Sequence, residues 1–145
     1  MGRVSASAIA PGQVRDAEAL WYDLGRWPAF VDGFATVLER DPQWPDAGRL
    51  VWRSTPHGRG IVHERVVERG TVEFHDDKLT GTQRTEFTPH GEHTRVTLTM
   101  EYRIEEAGPL TPIVDLLFVR RAVRDALQRT VARFAREREG DLTLS

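Results

Sequence analysis

Cysteine is missing from all 145 residues, and Lys78 is the only lysine. Without a thiol the chain has no disulfides, no cysteine nucleophile and no thiolate metal site. Long apolar runs are missing too. No stretch could span a bilayer and the first residues lack a signal-peptide core, which predicts a cytoplasmic protein with no integral membrane segment. A clustered basic face is also absent: the net charge is -2, 29% of residues are charged, and the two signs are intermixed. That balance argues against a nucleic-acid partner.

The familiar catalytic signatures are lacking as well. Gly58-Arg59-Gly60 has neither the lysine nor the following helix of a phosphate loop, and no serine sits on a nucleophile elbow. Asp76 and Asp77 share a turn, and adjacent side chains on an extended chain point apart, so they make no glycosidase couple. His90 and His93 flank the Gly91-Glu92 turn without a third ligand, and His57 and His75 have no obvious partner. Neither a metal nor a cofactor is expected, and hydrolases, kinases and dinucleotide enzymes become poor candidates.

What is present is organised around one amphipathic helix running from Thr111 to about Glu139. Thr111 can cap its first turn, Pro112 suits the first helical position, and Gly140 reads as its stop. Leu116, Val119, Val123, Leu127, Val131 and Phe134 recur on one side at helical spacing. Seven arginines between Arg120 and Arg138 interleave with acidic residues, and Asp125 lies four positions from both Arg121 and Arg129, so they read as a solvated, paired face. The first turns, Ile113 to Val119, are apolar on nearly every side. A ligand, a partner subunit such as a second copy in a homodimer, or a loop is needed to cover them.

Ahead of this helix, Val4 to Ile9 alternates as a short strand would. Val14, Ala17, Leu20, Trp21 and Leu24 follow helical spacing after Pro11, and Trp27-Pro28-Ala29-Phe30-Val31 reads as a second short helical turn closed by Gly33. Phe34–Arg40, Arg49–Thr55, Gly60–Arg69, Thr71–His75, Leu79–Thr88 and Thr94–Ile104 read as strands joined by turns too short for parallel crossovers. In the last of these, Val96, Leu98, Met100, Tyr102 and Ile104 alternate with polar residues, so one face is buried and the other wet. The chain length fits one domain, 1–145, of α+β class.

The order and spacing of five segments resemble the START-related superfamily, and within it the polyketide cyclase/dehydrase-like proteins. They are the opening strand into Ala10-Pro11, the Trp27-Pro28-Ala29-Phe30 turn, GIVHERVVERG from Gly60, TRVTLTMEYRI from Thr94, and the closing helix. The resemblance implies a helix-grip fold: a curved antiparallel sheet of about seven strands wraps the long C-terminal helix, with two short helices after the first strand. It further implies a deep, mostly apolar cavity for a hydrophobic small molecule, lipid- or polyketide-like and cyclic or aromatic. Some members catalyse cyclisation, aromatisation or dehydration.

Alternation leaves two sets open on the Gly60 strand: Ile61, His63, Arg65 and Val67, or Val62, Glu64, Val66 and Glu68. The aromatase/cyclase pattern favours the first set facing inward. Its tryptophan is retained as Trp27, whereas its tyrosine and arginine positions carry Phe34 and Val67. Under an enzymatic reading, Arg65, His63 and Tyr102 are the candidate catalytic groups. Leu50, Trp52, Phe74, Phe87, Leu98 and Met100 are expected to form an apolar wall facing Leu116, Val123 and Leu127, with Ile61 beside them. Such a wall suits a flat hydrophobic ligand and equally suits a solid core. A third reading is a protein adaptor that docks through the apolar start of the terminal helix.

Overall fold

The computed structural model describes residues 2–55, 60–105 and 108–144. The expected turn at 56–59, with His57, lies outside the described residues. Among the described residues the strands are β1 (Gly2–Pro11), β2 (Phe34–Arg40), β3 (Arg49–Ser54), β4 (Ile61–Glu68), β5 (Thr71–His75), β6 (Leu79–His90) and β7 (His93–Ile104). They form one curved antiparallel sheet in the order β1-β7-β6-β5-β4-β3-β2. From β2 to β7 every strand pairs with its sequence neighbour, as short turns demand. β1 alone pairs out of sequence, and its Gly2 sits opposite Tyr102 of β7.

Between β1 and β2 lie α1 (Val14–Trp21), a 3-10 turn (Leu24–Arg26) and α2 (Trp27–Phe30). Pro11 does not open α1 as its position suggests. It ends β1, Gly12 makes the bend at φ +95, and Gln13 and Asp16 form a reciprocal capping box. α1 stops at Trp21, so Leu24 belongs to the 3-10 turn. The carbonyls left over at its end are taken by indoles: Trp27 Nε1 donates to Trp21 O at 2.6 Å, and Trp44 Nε1 donates to Tyr22 O at 3.2 Å.

The terminal helix runs without a break through α3 (Thr111–Val114), a π-helical stretch (Asp115–Val119) and α4 (Arg120–Leu144). Gly140 does not stop it. Arg26 reaches Asp141 at 2.7 Å and Glu137 at 3.3 Å, and these contacts hold the last turns on the body of the protein. Val123, Leu127, Val131 and Phe134 are buried beneath α4. Burial of each such side chain stabilises the fold by roughly 1.5–3 kcal/mol. α4 packs most closely on β1, whose inward residues Val4, Ala6, Ala8 and Ala10 are small enough to admit it. The helix therefore lies toward one edge of the concave sheet and leaves β3 to β6 less covered. This is the START/helix-grip fold.

The arginines of α4 are not simply a self-paired face. Arg129 donates to Asp32 Oδ1 and Oδ2 at 3.0 and 3.1 Å, and Arg133 donates to Oδ1 at 3.1 Å. Together they tie α4 to the residues that follow α2.

Candidate functional site

The sheet register decides which side chains meet beneath α4. Trp52 pairs with Val62, and Leu50 pairs with Glu64, which in turn faces Phe74. Paired residues share a face of the sheet, so Val62 and Glu64 point inward with Trp52. The expected inward set on β4 is thus inverted: Ile61, His63, Arg65 and Val67 are all on the exposed convex face. His63 Nδ1 lies 3.1 Å from Arg49, and Arg65 pairs with Glu73 at 2.7 Å, so each has an outer-face partner. A one-residue slip reverses every side chain on a strand.

Between the concave face and α4 lies a partly open pocket of about 460 Å³. Its walls are strongly aromatic: Trp21, Tyr22, Trp27, Trp44, Trp52 and Phe74 line it, joined by Val62, Leu98, Met100 and Leu127. Of the residues expected there, Trp27, Trp52, Phe74, Leu98, Met100 and Leu127 are at the wall. Phe34, Leu50, Phe87 and Val123 are instead packed behind it, among the core side chains. Phe34, for example, lies 5.1 Å from Trp52 and 5.6 Å from Trp27, centroid to centroid, and shapes the wall from the rear. Leu116 is 68% exposed and does not reach the space. It sits on the π-helical stretch, turned to solvent with Leu117 and Phe118.

Three features explain why the space is not filled. α4 presents Ala122 and Ala126 to it, one turn apart, where longer side chains would occupy it. The loop after β2 brings in Trp44, whose ring stands edge-on to Trp27 at 5.7 Å and to Tyr22 at 6.4 Å. Arg69 stacks 4.5 Å over Tyr22 and pairs with Asp46 at 2.7 Å, which braces this end. Composition marks 41–48 as a loop, and nothing in that composition signals that Trp44 folds inward. The alanines at helical spacing were the one sequence signal for a void.

Glu64 is the group that sequence reasoning left on the wrong face. Trp52 Nε1 donates to its Oε1 at 3.0 Å. Burial pushes its carboxyl up from 4.5 to about 7, against the opposing effect of that hydrogen bond. Among the described residues no cationic side chain pairs with it. Asp32, at the same space, behaves oppositely. Burial would raise its pKa, but the hydrogen bonds and charges of Arg129 and Arg133 outweigh burial and hold it below the ordinary carboxylate value.

Tyr102 faces inward but is spent elsewhere. Its ring crosses Gly2, where a Cβ would collide with it, and its hydroxyl donates to Asp115 at 2.6 Å. Burial, then the bond to Asp115, push that hydroxyl up to about 12. The candidate catalytic trio of Arg65, His63 and Tyr102 therefore does not converge. Among the described residues no group of three or more histidines and carboxylates is placed to hold a metal ion.

A long helix gripped by a curved antiparallel sheet over an aromatic hollow defines the START-like class. The chain belongs to the family described as polyketide cyclase / dehydrase and lipid transport, which matches residues 1–139. Among solved structures it is similar to TTHA0849 from Thermus thermophilus, at 18% identity and a TM-score of 0.70, covering 97% of this chain and 99% of that one. A START superfamily protein from Mycobacterium smegmatis is 15% identical with a TM-score of 0.63, covering 90% and 97%. The Zhui aromatase/cyclase from Streptomyces sp. R1128 is also 15% identical with a TM-score of 0.63, covering 95% and 93%. At these identities the likeness is one of fold. No curated protein matches the sequence.

Proposed function

We propose that this protein binds a hydrophobic, cyclic or aromatic small molecule, lipid- or polyketide-like, in the space between the sheet and α4. The observation that carries this reading is the aromatic-walled hollow of about 460 Å³, kept open by Ala122 and Ala126. Its size falls within the roughly 300–1,000 Å³ of small-molecule sites, and polar side chains such as Glu64, Gln83 and Thr85 share its wall with the aromatic ones. Binding is favoured over turnover because Arg65 and His63 face away and Tyr102 is engaged with Asp115. A proton-transfer group must come within hydrogen-bond reach of its substrate, and those three do not. Native mass spectrometry of freshly purified protein is the test. A co-purified hydrophobic compound, lost in Ala126→Leu, is expected; a protein that carries and takes up nothing would refute the reading.

A second reading rests on a different surface. Leu110, Ile113, Leu116, Leu117 and Phe118 are each more than half exposed, a contiguous apolar start to the terminal helix. Self-association through this segment would bury it. Sedimentation velocity tests it: a dimer that Leu116→Lys converts to monomer supports the reading, and a monomer at all concentrations ends it.

A further inference from the structure

The hollow holds one polar group that the fold does not explain. A carboxyl held largely out of bulk water is stable as an anion chiefly beside a counter-charge, and among the described residues Glu64 has none. The cations bordering the same space are differently placed: Arg129 is bound to Asp32, and Lys78 stands in the turn between β5 and β6 with the buried Asp76. Around Glu64 the protein sets aromatic side chains instead. Phe74 is directly opposite on β5, and Trp52 on β3 donates to one carboxyl oxygen. That hydrogen bond fixes the orientation of the group and favours its ionised form. A lone carboxylate among aromatic rings is complementary to an organic cation, which gains both the charge pairing and the attraction of the ring quadrupoles.

We propose that the ligand of this cavity carries a basic nitrogen, and that Glu64 receives the protonated amine while the rings of Trp52 and Phe74 flank it. This rests on the hollow being a ligand site. The apolar body of the ligand then lies along Leu98, Met100 and Leu127, which line the same space. Binding of the ammonium form draws Glu64 into its carboxylate form, so a proton leaves the protein as the amine binds near neutral pH. No covalent step is involved.

The test uses the full chain and two probes of one shape, 1-naphthylmethylamine and 1-naphthylmethanol, titrated by quenching of tryptophan fluorescence. At about pH 8 the amine is expected to bind at least about tenfold more tightly than the alcohol, a ratio that collapses toward one in Glu64→Gln. In the wild type the same ratio should shrink by about pH 5, as Glu64 takes up its proton. The other titratable groups at the space are Tyr22, Asp32, Asp76, Lys78 and Arg129, and the Glu64→Gln comparison separates their contribution from that of Glu64. If the alcohol binds as well as the amine, or the preference survives both Glu64→Gln and acid, the proposal is overturned while the ligand site stands. If neither probe binds, the ligand site fails and the proposal with it.

Discussion

Glu64 shows what a single side chain can cost a fold. Its carboxyl sits at about 7 in the folded protein against the ordinary 4.5, so between these values the native state holds a proton that the unfolded state has released. Stability therefore falls as pH rises across that window, and the penalty is complete above it. Glu64→Gln removes the penalty. The variant should be more stable than wild type by about 2 kcal/mol at about pH 8 and indistinguishable near pH 4, read from denaturant midpoints. A gain that persists undiminished in acid would contradict the placement of this carboxyl. The residue was legible in the sequence only as one of two alternatives, because period-two alternation fixes which residues share a face and not which face is inside. The pairing of Trp52 with Val62 resolves it, and that register is supplied by the fold and not by alternation.

At the scale of an element, the terminal helix carries two separable tests. Gly140 lies within α4 with nothing within 4 Å of the position a Cβ would take, and its φ is not in the left-handed region. Gly140→Ala should raise stability by about 1 kcal/mol, seen as a higher thermal midpoint. Asp32 ties the middle of the same helix to the residues after α2. Its depressed pKa means that its ion pairs with Arg129 and Arg133 stabilise the fold above the unfolded value near 3.9 and cease to do so as the carboxyl protonates. The pair is partly exposed and screened by solvent, so Asp32→Asn should cost about 1 kcal/mol at neutral pH, less in high salt, and progressively less as pH falls below the ordinary carboxylate range. The helix itself was readable from spacing and from Thr111-Pro112. Its end was not, because glycine stops a helix only where no tertiary contact extends it, and Arg26 lies more than a hundred residues from the Asp141 it grips.

For the molecule as a whole, the succession of strands along the chain, the two short helices and the long terminal helix could be read from alternation, helical spacing and turn residues, whereas the pairing of β1 with β7 could not. The hollow could not, since the same aromatic side chains line a void or fill one. What keeps it open is small residues among large ones, Ala122 and Ala126 in a wall that also holds Trp52 and Phe74. Replacing both alanines by leucine should therefore fill space that is already there. The double variant should unfold at a higher denaturant concentration, by about 1–2 kcal/mol, and no longer quench with 1-naphthylmethanol. Loss of stability instead would mean that the space is smaller than the geometry gives.

The pairing of β1 with β7, and the seating of α4 on β1, also set the order in which the protein can be made. β1 leaves the ribosome with no neighbour to bond until the strands up to β7 have emerged, and its alanine face has no lid until α4 follows. Contacts this distant along the chain are slow to form, and a nascent intermediate exposes the aromatic wall meanwhile. A stalled ribosome that has not yet released α4 should therefore hold a protease-sensitive chain and a client for a chaperone, and the native sheet should arrive in one late, cooperative event.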